Sequence, residues 1–189
     1  SVALTSGALT NAAIVITDGA SNLGDLRVAS AGSAGAGDRA LALHTQVDVA
    51  PTYIGVGFQN NSGRVLERFS LAYTAEQWKE SGSARNLTFT VQYRIGATAA
   101  DLNATTGWTT LSTLTATTLS GSAGAATTLA ANDIAVTIPA GTSIWFRWRT
   151  SNSATSATSS NDILALDNVS ASFVAAPDGS PVISTQPEG

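Results

Sequence analysis

"NLTFTVQYRI", residues 86–95, is the stretch on which the fold turns. Leu87, Phe89, Val91, Tyr93 and Ile95 alternate with Asn86, Thr88, Thr90, Gln92 and Arg94. Successive side chains of a strand point to opposite faces, so a two-residue period describes a strand with one buried and one wet face. Working outward, "DIAVTI" (133–138) repeats the pattern with Ile134, Val136 and Ile138, and "PAG" (139–141) supplies a turn. "TSIWFRWRT" (142–150) sets Ile144, Phe146 and Trp148 on one face and Trp145, Arg147 and Arg149 on the other. "AAIVIT", "RALALHT", "YIGVGFQN", "RFSLAYT" and "ILALDNVSASF" also read as strands. Gly/Ser/Asn-rich loops separate them at 29–38, 60–63, 120–126 and 151–161. No segment carries an apolar stripe of helical spacing, and "TAADLNA" (98–104) allows one short helical turn.

Roughly eight to ten mostly antiparallel strands joined by uneven loops predict an all-β, antiparallel jelly-roll sandwich over residues 1–175. Leu87, Phe89, Val91, Tyr93, Ile144, Phe146, Trp148, Val169 and Phe173 are its expected core. Residues 176–189, with Pro177, Pro181 and Pro187, read as a linker or tail. A chain of 189 residues with 43% hydrophobic content can bury one such core.

Composition removes several functions. The net charge is -4 and the eight arginines are scattered, so a nucleic-acid footprint is absent. No apolar stretch approaches the roughly 20 residues of a membrane span. "SVALTSGALT" lacks the basic start and apolar run of a signal peptide, and reads equally as a mature N-terminus left by cleavage. The absence of cysteine excludes disulfides and thiolate metal sites. Acidic, lysine-poor, Thr/Ser/Gly-rich chains are common among bacterial secreted and surface proteins. Asn60, Asn86, Asn103 and Asn168 each head an Asn-x-Ser/Thr sequon.

Three stretches, "YTAEQWKE" (73–80), "IWFRWRT" (144–150) and "DILALDNVSASF" (162–173), stand in a recognisable order. With "GDRALAL" (37–43) and "VGFQNNSG" (56–63), they make residues 30–175 resemble a jelly-roll domain of bacterial secreted and surface proteins. The closing strand is similar to the last strand of galactose-binding-like jelly rolls and carbohydrate-binding modules. Lys79 stands where that family usually carries arginine. The resemblance implies a non-catalytic extracellular module and leaves the ligand open.

Glu76, Trp78, Lys79 and Glu80 form a charged, aromatic cluster after strand 69–74. Glu76 could bond a ligand beside a stacking Trp78, or it could pair with Arg147 or Arg149 as a lock between loop and strand. Trp145, Arg147 and Arg149 together suit an acidic or sulfated sugar, stacked on the indole and gripped by guanidinium forks. Trp108 and Tyr53 are further candidate contacts at loop–strand junctions. Asp167 shares a strand face with Ile163, Ala165 and Val169, so it faces the expected core and needs a partner. With Asp162 it is a candidate for a structural calcium ion, with Arg39 or backbone N–H groups as the alternative. His44, the one histidine, has no nucleophile-elbow sequence to serve.

The expected function is therefore binding to a polysaccharide or glycoconjugate at the cell surface. The alternative is a structural subunit of a surface layer, fibre or matrix, self-associating through the C-terminal tail. Catalysis ranks last, because four glutamates and scattered aspartates give no evident pair.

Overall fold

A computed structural model describes residues 2–3, 15–17, 28–31, 40–43, 51–79, 87–118, 124–152 and 162–177. Arg39, His44, Glu80, Asn86 and the tail from 178 onward lie outside the described residues. The strands in chain order are β1 (Val2–Ala3), β2 (Val15–Thr17), β3 (Val28–Ala31), β4 (Ala40–Leu43), β5 (Tyr53–Gln59) and β6 (Leu66–Lys79). Then come β7 (Leu87–Ile95), β8 (Thr109–Thr110), β9 (Ala116–Thr117), β10 (Ala126–Ile138), β11 (Ser143–Asn152) and β12 (Ile163–Ala175). Two single-turn 3-10 helices, Ala99–Asn103 and Ser112–Leu114, interrupt the β7–β9 region, the first on the predicted "TAADLNA" turn.

Sheet 1 runs β1-β5-β11-β7-β8, with β9 also on β7; sheet 2 runs β10-β6-β12-β4-β3-β2. Pairing among the described residues is antiparallel except between β2 and β3. From β4 the chain crosses between sheets at each strand as far as β7, and again from β9 onward. The last strand, β12, returns to sit between β4 and β6. That winding is a jelly roll, the expected architecture.

The inward faces supply the core. On β6 Phe69, Leu71, Tyr73 and Ala75 are buried, opposite Leu87, Phe89 and Val91 of β7 and Ile144, Phe146 and Trp148 of β11. Each large side chain among these contributes about 1.5–3 kcal/mol on burial. Ring edges interlock the two sheets: Phe69 meets Phe146 and Tyr93 at 5.1 Å between centroids, and Tyr73 meets Trp148 at 5.6 Å. The Tyr73 hydroxyl donates to the Leu114 carbonyl at 2.7 Å, tying β6 to the loop that closes one side.

Two bulges flank the middle of β6. On β12, Asp167 pairs with Thr74 but Ser170 pairs with Ala72, so β12 carries one extra residue; Asn168 absorbs it at φ 49°. On β10, Ala131 pairs with Leu71 and Ile134 with Phe69, and Asp133 sits at φ 54°. An inserted residue reverses which face later side chains occupy. Val169 was an expected core residue and is instead 39% exposed, while Ala171 and Phe173 turn inward.

The face of sheet 2 turned away from this core buries a second, small cluster. Ala31, Ala40, Ala42, Ile163 and Ala165 form it, with Trp78 packed against its edge. Ile163 and Ala165 therefore point away from the main core, where Leu164 and Leu166 lie. Strand β3 (Val28–Ala31) overlaps the start of the expected 29–38 loop. Its alanines and serine carry little strand propensity, but its pairing with β4 makes it a strand.

Candidate functional site

Sheet 1 turns Trp145, Arg147 and Arg149 of β11 outward, as the alternation predicts. Register places Arg94, Gln92 and Thr90 of β7 beside them on one flank, and Gly57, Gly55 and Tyr53 of β5 on the other. Glycines at alternate positions of β5 leave bare backbone on this face. A Cβ at Gly57 would run into Cε2, Cζ2 and Nε1 of Trp145, so the indole rests on the Gly57 backbone. A Cβ at Gly55 would likewise meet the Leu102 side chain. Trp145 stays partly exposed, whereas Leu102 is buried.

Leu102 belongs to a loop that folds over the middle of the face. Its 3-10 turn begins with a capping box, in which the Thr98 backbone N–H and hydroxyl donate to Asp101 at 2.8 and 2.9 Å. Asp101 also meets Arg94 at 3.3 Å. The Thr98 bonds first, then the Arg94 charge, hold the Asp101 carboxyl below the usual carboxylate range.

Arg147 fastens this loop to the sheet. Its side chain is buried, with Nη1 donating to the carbonyls of Leu102 (2.5 Å) and Ala104 (2.8 Å) and Nε donating to Gln92 (2.9 Å). Its guanidinium carbon lies 4.1 Å from the Trp108 ring centre and 4.7 Å from that of Tyr53, so the cation rests over two aromatic faces. Burial lowers its pKa to about 10, which leaves it charged at neutral pH. Arg147, expected as an open ligand contact, is thus buried in a clamp with Trp108 and Tyr53, both of which stay half-buried. Trp145 and Arg149 stand on either side of the clamp, four residues or about 13 Å apart along β11.

The lock expected between Glu76 and Arg147 or Arg149 does not form. Glu76 is on the outer face of sheet 2, while both arginines are on sheet 1. The strand continues through the motif to Lys79, which puts Glu76 and Trp78 on one face. There the Trp78 indole N–H donates to Glu76 Oε2 at 2.9 Å. The cluster is a local brace at the edge of the alanine cluster, in which Trp78 stays half-buried.

Asp162 and Asp167 do not converge as a calcium site would require. Five residues of strand separate them, about 16 Å. Asp162 is buried and accepts a hydrogen bond from the Thr118 hydroxyl, which in turn accepts one from the Leu87 amide at 2.9 Å. Asp167, turned outward with Ile163 and Ala165, accepts from the Asn168 backbone and side-chain N–H groups at 2.8 and 2.9 Å. No group of three or more His, Cys, Asp or Glu comes together among the described residues.

Sequence reading missed Gly55, Gly57, Gln92 and Leu102 as parts of this face. The signal for the glycines was present: alternate glycines within "YIGVGF" mark a place where something approaches the backbone closely. Nothing local announced that Arg147 would find its oxygens in a loop more than forty residues upstream.

No protein-family model matches the chain, and no curated protein does. Among solved structures, it is similar to the enzymatically active domain of tailspike protein 4 of Bacteriophage CBA120, at a TM-score of 0.41 and 12% identity. The likeness covers 79% of this chain and 18% of that one, so this chain spans less than a fifth of the tailspike domain's length.

Proposed function

We propose that this chain is a non-catalytic, extracellular β-sandwich module that binds a polysaccharide or another surface polymer across the outer face of sheet 1. One observation carries the reading: Trp145 lies on the bare backbone of Gly57, partly exposed, on a face whose central loop is clamped in place by Arg147. A flat indole held by a rigid sheet is a stacking surface that loses little conformational entropy on binding. The resemblance of the closing strand to carbohydrate-binding modules points the same way.

Affinity electrophoresis in gels holding single polysaccharides tests the proposal. The protein is retarded by at least one polymer, and Trp145→Ala runs unretarded while melting as the parent does. Retardation unchanged in Trp145→Ala moves the site elsewhere, and release of reducing ends from the retained polymer sinks the non-catalytic claim.

A second reading, self-assembly into a surface layer or matrix, draws on β10. It is a thirteen-residue edge strand whose first six residues, Ala126–Ala131, carry neither charge nor proline. Such an edge can template a further strand. Sedimentation showing a monomer at every concentration removes this reading.

A further inference from the structure

We infer that the ligand of the sheet 1 face is an anionic polymer, a uronate- or sulfate-bearing chain, with Arg149 as its charge contact. The inference rests on the binding reading given above and adds the ligand's chemistry to it. What carries it is the way charge is divided between the sheets. Among the described residues, the strands of sheet 2 carry four carboxylates, Glu67 and Glu76 of β6, Asp133 of β10 and Asp167 of β12. Against these stand two cations, Arg68 and Lys79 of β6, while Asp162 is buried against Thr118. The sheet 1 face, among the described residues, holds Arg94, Arg147 and Arg149 against one carboxylate, Asp101. A chain of net charge -4 thus keeps a local positive face, on the sheet that bears Trp145.

The three arginines have different parts. Arg94 is neutralised by Asp101. Arg147 is satisfied by carbonyl and amide oxygens, and no carboxylate pairs with it, so its charge persists beneath the face. Arg149 is half-buried, and among the described residues no hydrogen bond or ion pair engages its fork. Trp145 and Arg149 lie about 13 Å apart, longer than one pyranose ring, so the span suits a polymer rather than a single sugar. A carboxylate or sulfate on Arg149 makes a charge-assisted, two-pronged hydrogen bond that a neutral hydroxyl cannot match.

The test uses two matched pairs: polygalacturonate with its neutral methyl ester, and dextran sulfate with dextran. Binding of the whole chain is measured at low salt and at physiological salt. In at least one pair the anionic member binds about tenfold tighter at low salt, the factor expected of one added charge-assisted hydrogen bond. Its advantage shrinks as salt rises, since exposed charges are screened beyond about 8 Å at physiological ionic strength. Arg149→Gln, which breaks no hydrogen bond or ion pair among the described residues, lowers the affinity for the anionic member to about that for the neutral one. Trp145→Ala loses both members. Equal affinity within both pairs, still lost in Trp145→Ala, overturns the anionic assignment while the platform stands. An anionic preference that survives Arg149→Gln overturns it as well. If none of the four polymers binds, the inference fails, and the retardation screen then decides separately whether the platform reading fails with it.

Discussion

A buried guanidinium loses its hydration, at a cost of several kcal/mol unless oxygens replace the lost water. Arg147, 2% exposed, recovers this through two loop carbonyls and Gln92, and lies over the rings of Trp108 and Tyr53. Arg147→Ala orphans those acceptors and opens a cavity, and is expected to lower stability by about 3–5 kcal/mol in urea unfolding. Arg147→Lys keeps the charge but cannot reach both carbonyls and Gln92 together, so it falls between the two. Tyr73 gives a pH signature. Burial pushes its phenol well above the ordinary tyrosine value of about 10. The folded state then holds a proton that the unfolded state releases above that pH, so stability falls as pH rises past about 10. Tyr73→Phe is expected to be less stable by about 1–3 kcal/mol at pH 7, because the buried Leu114 carbonyl loses its donor. The gap should narrow in alkali, and chemical denaturation at pH 7 and pH 11 checks it; a constant gap would mean that Tyr73 does not titrate on unfolding.

At the scale of the element, small departures from ideal strands set which side chains face where. Asn168 occupies the left-handed region that β-branched residues avoid. Asn168→Val is expected to cost about 1–3 kcal/mol, and Asn168→Gly to be close to neutral, by thermal unfolding. If the valine variant melts with the parent, the bulge is not what turns Phe173 inward. Gly57→Ala forces the Trp145 indole off its seat and should weaken polymer binding as Trp145→Ala does, with β5 still paired. The alternation in "NLTFTVQYRI" and "TSIWFRWRT" made β7 and β11 legible from sequence, because each runs straight through the sheet centre. β12 was legible only in part. Its parity breaks at Asn168, and a bulge leaves no period of its own, so Val169 and Asp167 were assigned to the wrong faces.

At the scale of the whole molecule, the jelly roll followed from strand number and the two-residue period, since two sheets are what such strands need to bury one face each. The candidate site was legible as a set of residues on one face, and the reading failed on partners. Glu76 and Arg147 each carried a charge in need of an opposite, and opposite charges are the natural guess. Neutral groups, an indole N–H and two carbonyls, served instead, and sequence spacing does not reveal which backbone oxygens a loop brings near. The account's central claim is that Trp145 of sheet 1 is the surface a polymer touches. Substituting 5-fluorotryptophan gives one fluorine signal for each of the four tryptophans, assignable by single Trp→Phe replacements. On titration with the polymer that retards the protein, the Trp145 signal should shift while those of buried Trp148 and braced Trp78 stay in place. A moving Trp78 signal with a stationary Trp145 would contradict the account.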